Sequence, residues 1–398
     1  MAPNNNEAAV QNSCIANVTR YDFKLCYIII NEIIKRLKRQ LVKYAYPIND
    51  GGYNIMILFF TSPIGLGHAS RDIAIAEKLK KLKSAHNEIL FVSGAGAFNL
   101  IFNNSYSAFN LYKPINFYIH SGELKKPFTW LIKYLSYYKR CKTAAEEILV
   151  KHDHLIVSDE DFASIAIGEK MNRKRILITD ITETRFTNGI VSVLETTMNK
   201  IMQRMIDKCT HVIIPDYGDN NNNLVYVGPI VREVTADRNT LRKKFGFNKK
   251  TIILSSGSTE AGIHLVTRSL EAYRRLKTKM DIDLVLVGTP VEKLAYSSDF
   301  RNVGLVNNLH EYIYASDLVI SLAGRSTMDE SIVYGIPGIF IPIKNHFEQE
   351  DCAKRLGYKY EDIFKIEHFI EEKLDSPGRG ITQANGAEKA AKLILQSL

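Results

Sequence analysis

The run AGRSTMDESIVYGIPGIFIPIKNHFEQE, from Ala323 to Glu350, holds a dense set of groups able to do chemistry. Small residues precede a helical pattern there. A helix N-terminus presents unpaired N–H groups and partial positive charge, which suits a phosphate. Gly324, Arg325, Ser326 and Thr327 stand at that end. Glu330, expected in the first turn, offers a carboxylate to a ribose diol. Gly335 and Pro337 close the helix, and an apolar strand spans Gly338 to Ile343. Glu348 and Gln349 follow it. A carboxylate beside an amide that both donates and accepts matches the hydroxyls of a hexose.

Two further clusters sit behind apolar strands. SPIGLGH (Ser62–His68) follows IMILFF, and its histidine has the near-neutral pKa that suits removal of a proton from a hydroxyl. His68 could equally cap the next helix or order the loop. In that case Asp159, Asp180 or Glu183, at later strand ends, become alternative bases, although such carboxylates often cap helices. Gly67 precedes the histidine, and Arg71, one turn beyond it, is either a phosphate partner or a solvated surface arginine. SSGSTEAG (Ser255–Gly262) places Ser256, Gly257 and Ser258 where backbone can approach a phosphate closely. It is neither GxGxxG nor GxxxxGK[ST], which weighs against dinucleotides and a P-loop. No HExxH occurs, and Asp281-Ile282-Asp283 begins a strand, opposite the expected ligand end. We therefore expect no metal and no cofactor. Stabilisation of a departing phosphate then falls to the helix dipole, loop amides and Arg325 or Arg232.

These clusters need rigid supports, and the chain supplies alternating strands and helices. Near-continuous apolar strands are expected at Ile55–Phe60, Glu88–Gly94, His154–Asp159, Arg175–Asp180, His211–Pro215, Thr251–Gly257, Asp283–Gly288 and Asp317–Gly324. Helical patterns intervene, one from about Ser70 to Leu82, a short one at Glu311–Ala315. Such alternation predicts parallel sheets covered on both faces. The polar run DYGDNNNN, at 216–223, divides two doubly wound α/β halves. Ligands of such sheets bind beyond the carboxyl ends of the strands, where all three clusters lie. The expected division is an extension over 1–52, a domain over 53–226, a second over 227–384 and a terminal helix over 385–398.

At 398 residues the chain exceeds one ordinary core. Hydrophobic content of 45% and charged content of 24% are globular values. Net charge of +9 favours anionic partners. The five scattered cysteines contain no CxxC, so a disulfide framework or zinc site is not expected and a reducing compartment fits. No signal peptide is evident in the polar first residues and no apolar run could span a bilayer. A cytoplasmic protein is the expectation.

Two segments combine basic and apolar residues. Residues 23–43 read as a basic amphipathic helix, either on an anionic membrane or packed on the body. KKPFTWLIKYLSYYKRCK, at 125–142, sets Phe128, Leu131, Leu135 and Tyr138 on one stripe, with Trp130, Tyr134 and Tyr137 beside it. It suits a lipid–water interface, or else a core-packed helix with a solvated face. Nucleic-acid stacking ranks last, because no binding motif accompanies the charge.

With GLGHASR, SSGSTEAG and the 323–349 run in hand, residues 53–398 resemble GT-B glycosyltransferases that use UDP-sugars. The likeness is to family 28, which includes the bacterial lipid I N-acetylglucosaminyltransferase and archaeal relatives. The resemblance implies two Rossmann-like domains facing a cleft, an acceptor-binding N-terminal half and a donor-binding C-terminal half. It implies that Glu330 holds the ribose hydroxyls and that Leu309 flanks the uracil. Ser256, Gly257, Ser258, Thr327, the backbone of 324–326 and Arg232 of GPIVR would lie near the diphosphate. Glu348 and Gln349 would touch the donor sugar, and His68 would act as base. Arg325 replaces a small residue of the lipid I enzyme, and Ile64 and Leu66 make the N-terminal loop less glycine-rich.

The expected activity is metal-independent, inverting transfer of a hexose, of N-acetylglucosamine type, from a UDP-sugar to a lipid or lipid-linked acceptor. Contact with a membrane surface, and none with nucleic acid, accompanies it. The rivals are a UDP-sugar 2-epimerase of the same fold and a non-catalytic UDP-sugar-binding subunit at a membrane.

Overall fold

A computed structural model describes residues 57–82, 89–152, 154–187, 189–257, 260–288, 299–376, 380–381 and 385–398. The extension over 1–52, its helical reading at 23–43, and Ser258 lie outside the described residues.

The first half runs β1 (Ile57–Thr61), α1 (Gly67–Leu82), β2 (Ile89–Ser93), α2 (Ala95–Asn103), β3 (Ser107–Asn110), β4 (Tyr118–His120), β5 (Glu123–Lys125), α3 (Pro127–Leu149), β6 (Leu155–Asp159), α4 (Phe162–Lys170), β7 (Arg175–Ile178), α5 (Ser192–Asp207), β8 (His211–Ile214) and β9 (Leu224–Tyr226). The second runs α6 (Arg238–Phe245), β10 (Lys250–Ser255), α7 (Ile263–Lys277), β11 (Ile282–Val287), β12 (Arg301–Gly304), α8 (Leu309–Ala315), β13 (Leu318–Leu322), α9 (Arg325–Tyr334), β14 (Gly338–Ile341), α10 (Phe347–Arg355), α11 (Ile366–Leu374) and α12 (Ala387–Gln396).

Two parallel sheets result, as the alternation predicts. Their orders are β3-β2-β1-β6-β7-β8-β9 and β12-β11-β10-β13-β14. Order reverses between β1 and β6 and again between β10 and β13, and at such switch points a crevice opens beyond the strand ends. The central strands explain their sequence. Every residue of β1 and β6 is buried, because helices cover both sheet faces and leave no solvated side to alternate with. β4 and β5 form a separate antiparallel hairpin. Strands of three residues give too little periodicity to read in sequence.

That hairpin reaches across to the second half. The Leu124 amide donates to the Lys344 carbonyl and the Lys344 amide to the Gly122 carbonyl, both at 2.9 Å. The Tyr360 hydroxyl donates to the Ser121 carbonyl at 2.8 Å. Gly122 is required there: its φ is +75° and a Cβ would lie 2.8 Å from the His264 ring.

α12 returns the chain to the first half. Ala387, Ala390, Ala391 and Ile394 are fully buried and share a core with Ile57, Ile73 and Ala76. Its three alanines let its backbone approach α1 closely. Trimming Ile394 to alanine leaves a cavity in this core. Ile394→Ala should lower unfolding stability by about 2–5 kcal/mol in urea titration, whereas Lys392→Ala, on the exposed face of the same helix, should leave the midpoint in place.

Candidate active site

Nearly all the described residues singled out in the sequence meet at one cavity of ≈ 1080 Å³ lined by both halves. His68, Gly67 and Arg71 reach it from α1. Ser256 and Gly257 reach it from the end of β10, and Leu309 from the start of α8. Gly324, Arg325, Ser326, Thr327 and Glu330 come from α9, Glu348 and Gln349 from α10, and Arg232 from the segment between the halves. All but Arg232 follow the carboxyl end of a strand.

Two helix N-termini face each other across it. α1 begins at Gly67, so Gly67 and His68 are helical rather than part of the preceding loop. A Cβ on Gly67 would lie 3.3 Å from Ser326 Cβ, so glycine permits the approach of α1 to α9. At α9, Gly324 is the cap residue, with extended backbone and no side-chain bond to the first turn. The first-turn amides therefore point at the cavity without a capping oxygen, which is anion-binding geometry. Opposite them, Gly257 takes φ +74° and a Cβ on Gly288 would sit 2.3 Å from Ser256 Oγ. Glycine at both positions lets the two strand ends close together.

On α1, the imidazole of His68 is held by β6. Its Nδ1 lies 2.9 Å from Asp159 Oδ1. An ionised carboxylate only accepts, so Nδ1 carries the proton and Nε2 faces the other way. Arg71 grips the same carboxylate, Nε to Oδ2 at 2.8 Å and Nη2 to Oδ1 at 2.5 Å. Burial opposes ionisation of Asp159, but Arg71 and His68 outweigh it and hold the pKa well below the ordinary carboxylate range. Burial likewise opposes charge on His68, yet Asp159 and then Glu160 raise its pKa to about 9.

The three arginines expected near phosphate are each committed to protein. Arg71 is buried against Asp159. Arg325 donates Nε to Asp329, Nη1 to Asp216 at 3.1 Å and Nη2 to the Pro215 carbonyl at 2.6 Å. Arg232 donates to the Asn307 carbonyl, Glu77 and Asn104. Each carries its charge to a carboxylate, and Arg325 and Arg232 link the two halves. Amides, more than guanidinium groups, are what the cavity offers an anion.

Glu330 faces the cavity, but from the second turn of α9, since the helix starts at Arg325. Its one-turn-deeper position leaves it 3% exposed, and burial pushes its pKa up to about 7 against the pull of Arg232. The Ser70 hydroxyl donates to it at 3.3 Å. Burial and then Asp180 push Glu348 to about 7 as well. Gln349 Oε1 accepts from the Ile343 amide at 3.1 Å, which fixes the amide and turns its NH₂ toward other acceptors. Asp161, not Asp159, caps a helix, accepting from the Ser164 amide at 3.1 Å. Glu183 is exposed.

Among the described residues one grouping, His68 with Asp159 and Glu160, brings donor atoms close together. Arg71 bonds to both Asp159 oxygens, so the grouping is part of a wider ion-pair network.

Most of the 125–142 stretch lies on α3, and its apolar residues divide between the core and the surface. Trp130 and Leu131 are buried, while Phe128, Ile132 and Leu135 are exposed. Tyr134, Leu135 and Tyr138 of α3 face Met198, Ile201, Met202 and Met205 of α5 along the cavity wall. The methionine wall on α5 was not singled out in the sequence, because its apolar residues are interleaved with Thr, Lys and Gln. Ile201, at 49% exposure, and Leu135, at 38%, bring this wall to the surface. Lys139 and Arg204 are exposed near them, and Lys142 sits 5.5 Å from the Tyr138 ring centre.

Known proteins share the fold and part of the sequence. Residues 251–392 match the glycosyltransferase family 28 C-terminal domain. An uncharacterised glycosyltransferase of Methanopyrus kandleri is 24% identical over 61% of this chain and 76% of its own length. The UDP-N-acetylglucosamine–N-acetylmuramyl-(pentapeptide) pyrophosphoryl-undecaprenol N-acetylglucosamine transferase of Desulforamulus reducens is 25% identical over 40% of this chain and 48% of its own. Among solved structures, the glycosyltransferase SnogD of Streptomyces nogalater superposes with a TM-score of 0.53 at 15% identity, over 86% of this chain and 100% of that one. The UDP-GlcNAc 2-epimerase of Neisseria meningitidis, bound to UDP-GlcNAc, gives 0.58 at 11% identity, over 86% and 99%. These structural likenesses establish the GT-B fold, and with the domain match over residues 251–392 and the sequence relatives they support a glycosyltransferase whose second half is similar to family 28.

Proposed function

We propose that the protein moves a hexose, of N-acetylglucosamine type, from a UDP-sugar to a lipid or lipid-linked acceptor by a single inverting displacement without a metal ion. The observation that carries the reading is the opposition, across one cavity, of the His68–Asp159 pair and the uncapped N-terminus of α9. One side can take a proton and the other can receive negative charge. An acceptor hydroxyl gives its proton to Nε2 of His68 as its oxygen attacks the anomeric carbon. The electron pair of the breaking bond leaves with UDP toward the amides of α9 and of Gly257. Asp159 keeps the imidazole in the tautomer with Nε2 free and stabilises its charged form. Glu330 takes the ribose diol, Leu309 the base, and Glu348 and Gln349 the sugar hydroxyls.

The donor is inferred from a relative named for UDP-N-acetylglucosamine and from the fold neighbour that holds it. The lipid character of the acceptor is supported by the apolar wall between α3 and α5, which carries the cavity to a surface flanked by Lys139, Lys142 and Arg204. Such a rim suits anionic headgroups while the wall takes hydrocarbon, and it fits a protein working at the inner face of a membrane. The relative with a pyrophosphoryl-undecaprenol substrate points the same way. The likeness to 2-epimerases favours a second reading, interconversion of the UDP-sugar with no acceptor.

Incubation with labelled UDP-sugars and a lipid extract separates the two: label should enter the organic phase, whereas epimerised nucleotide-sugar formed without acceptor would overturn the transfer reading. Activity should persist in EDTA. His68→Ala should lower turnover about 10²–10⁴-fold with UDP affinity nearly unchanged by calorimetry. Glu330→Ala should do the reverse, weakening UDP binding about 10–100-fold through a lost charged hydrogen bond. Leu135→Asp with Ile201→Asp should abolish label transfer to lipid while UDP affinity remains.

A further inference from the structure

Consecutive residues of a strand point to opposite faces. Asp159 and Glu160, at the end of β6, do not obey this. Glu160 has φ +52°, a left-handed backbone rarely taken by residues other than glycine. Its amide is fixed in that turn by the Ile178 carbonyl at 3.1 Å. The turn brings both carboxyl groups to the same imidazole. Asp159 meets Nδ1 at 2.9 Å and Glu160 Oε2 stands 3.7 Å from Nε2.

We propose that Glu160 is a positioning residue that sets the protonation state of His68, so that the base is free only when Glu160 carries the proton. This inference rests on the transfer reading given above, in which Nε2 is the base. With Glu160 ionised, Nε2 is a protonated partner of a carboxylate and cannot accept a proton. With Glu160 protonated, its proton is shared with the hydrogen-bonded Asp180 carboxylate, and Nε2 keeps its lone pair. Thr179 Oγ1 holds the other oxygen at 3.2 Å, so the carboxyl group stays in place in both states.

The surroundings favour the protonated form. Arg71 from α1, Asp159 from β6, Asp180 from the end of β7 and Glu348 from α10 act on the pair directly, and Asp72 of α1 with Arg325 and Asp329 of α9 make up the next layer of charge around them. Five of these seven are carboxyl groups, and Arg71 is already bonded to Asp159 and Arg325 to Asp329 and Asp216. Burial, followed by the charge of Asp180 among the groups that raise it, lifts Glu160 well above the usual carboxylate range. In the transfer step the acceptor proton passes to Nε2, the C–O bond to the acceptor forms, and the donor C–O bond breaks with its electron pair leaving on UDP. Glu160 keeps its proton throughout, and Asp159 balances the imidazolium.

Glutamine imitates the protonated carboxyl group, so Glu160→Gln, which keeps the Thr179 bond, should leave the His68 pKa where it is in the parent. NMR titration of the full-length protein through the His68 Cε1–H resonance reads this without substrate. Asp180→Asn withdraws the charge that keeps Glu160 protonated; Glu160 then ionises beside Nε2, and the His68 pKa should rise by about one unit or more, a tenfold change in its ionisation constant. Simple loss of the Asp180 anion would lower it instead. The acid limb of the pH–rate profile for transfer, or for slow donor hydrolysis by water, should stay in place in Glu160→Gln and move up with the His68 pKa in Asp180→Asn. A His68 pKa that falls in Glu160→Gln, or that fails to rise in Asp180→Asn, would overturn the proposal. If His68 shifts as expected but no UDP-sugar is consumed at any pH, the transfer reading fails and the Glu160–His68 linkage stands.

Discussion

Everything at the His68 end of the cavity depends on keeping Asp159 ionised although it is fully buried. An isolated buried carboxylate would take up a proton. Arg71 prevents this with two hydrogen bonds from one rigid guanidinium, and only then can Asp159 orient His68. The three residues come from α1 and β6, which flank the point where strand order reverses. The switch point therefore supplies both the crevice and the pair of elements that place charge in it. Loss of one partner from such a buried pair typically costs about 3–5 kcal/mol, because the other charge is stranded. The network thus works only as a unit, and its hold on the imidazole is as much a feature of the fold as of the chemistry.

Because the arginines are bound to carboxylates, the donor side has to meet negative charge by other means. The first turn of α9 and the glycines at the ends of β10 and β11 give oriented amides in a confined space. Fixed dipoles need no rearrangement when charge develops on a leaving group, which is where preorganisation is most effective. Arg325 and Arg232 contribute indirectly. By tying Asp216, Glu77 and Asn104 of the first half to the second, they hold the amides and His68 at a fixed separation.

The sheet architecture was legible because its strands are buried on both faces and so read as unbroken apolar runs. The cavity-lining positions of the second half were legible because helix starts and glycine turns leave clear marks in sequence. Boundaries were less so: α1 begins at Gly67 and not near Ser70, and α9 places Glu330 a turn deeper than expected. The arginines illustrate what sequence cannot supply. Arg71, Arg232 and Arg325 all looked available to phosphate, and their partners, 88, 155 and 109 residues away in the chain, are fixed by tertiary packing. Glu160 was missed for a related reason. SDED at 158–161 puts three carboxylates in a row, but only the left-handed turn at Glu160 decides which of them share a face.

That turn also bears on how a histidine in a mostly acidic pocket can serve as a base. Two anions beside one imidazole favour its charged form, which is the wrong form for accepting a proton. A lone Asp159 would orient the ring and raise its basicity at once, with no means of separating the effects. Placing a second, more heavily shielded carboxyl group on the far nitrogen divides the labour. Asp159, saturated by Arg71, stays ionised and fixes the tautomer; Glu160, crowded by Asp180, holds a proton and leaves Nε2 uncharged. Strain at φ +52° in a non-glycine residue is tolerated where the surrounding bonds enforce it, here the Ile178 carbonyl on one side and Thr179 on the other. The backbone conformation that looks least favourable in the strand is therefore the one that makes an acidic pocket compatible with general-base chemistry.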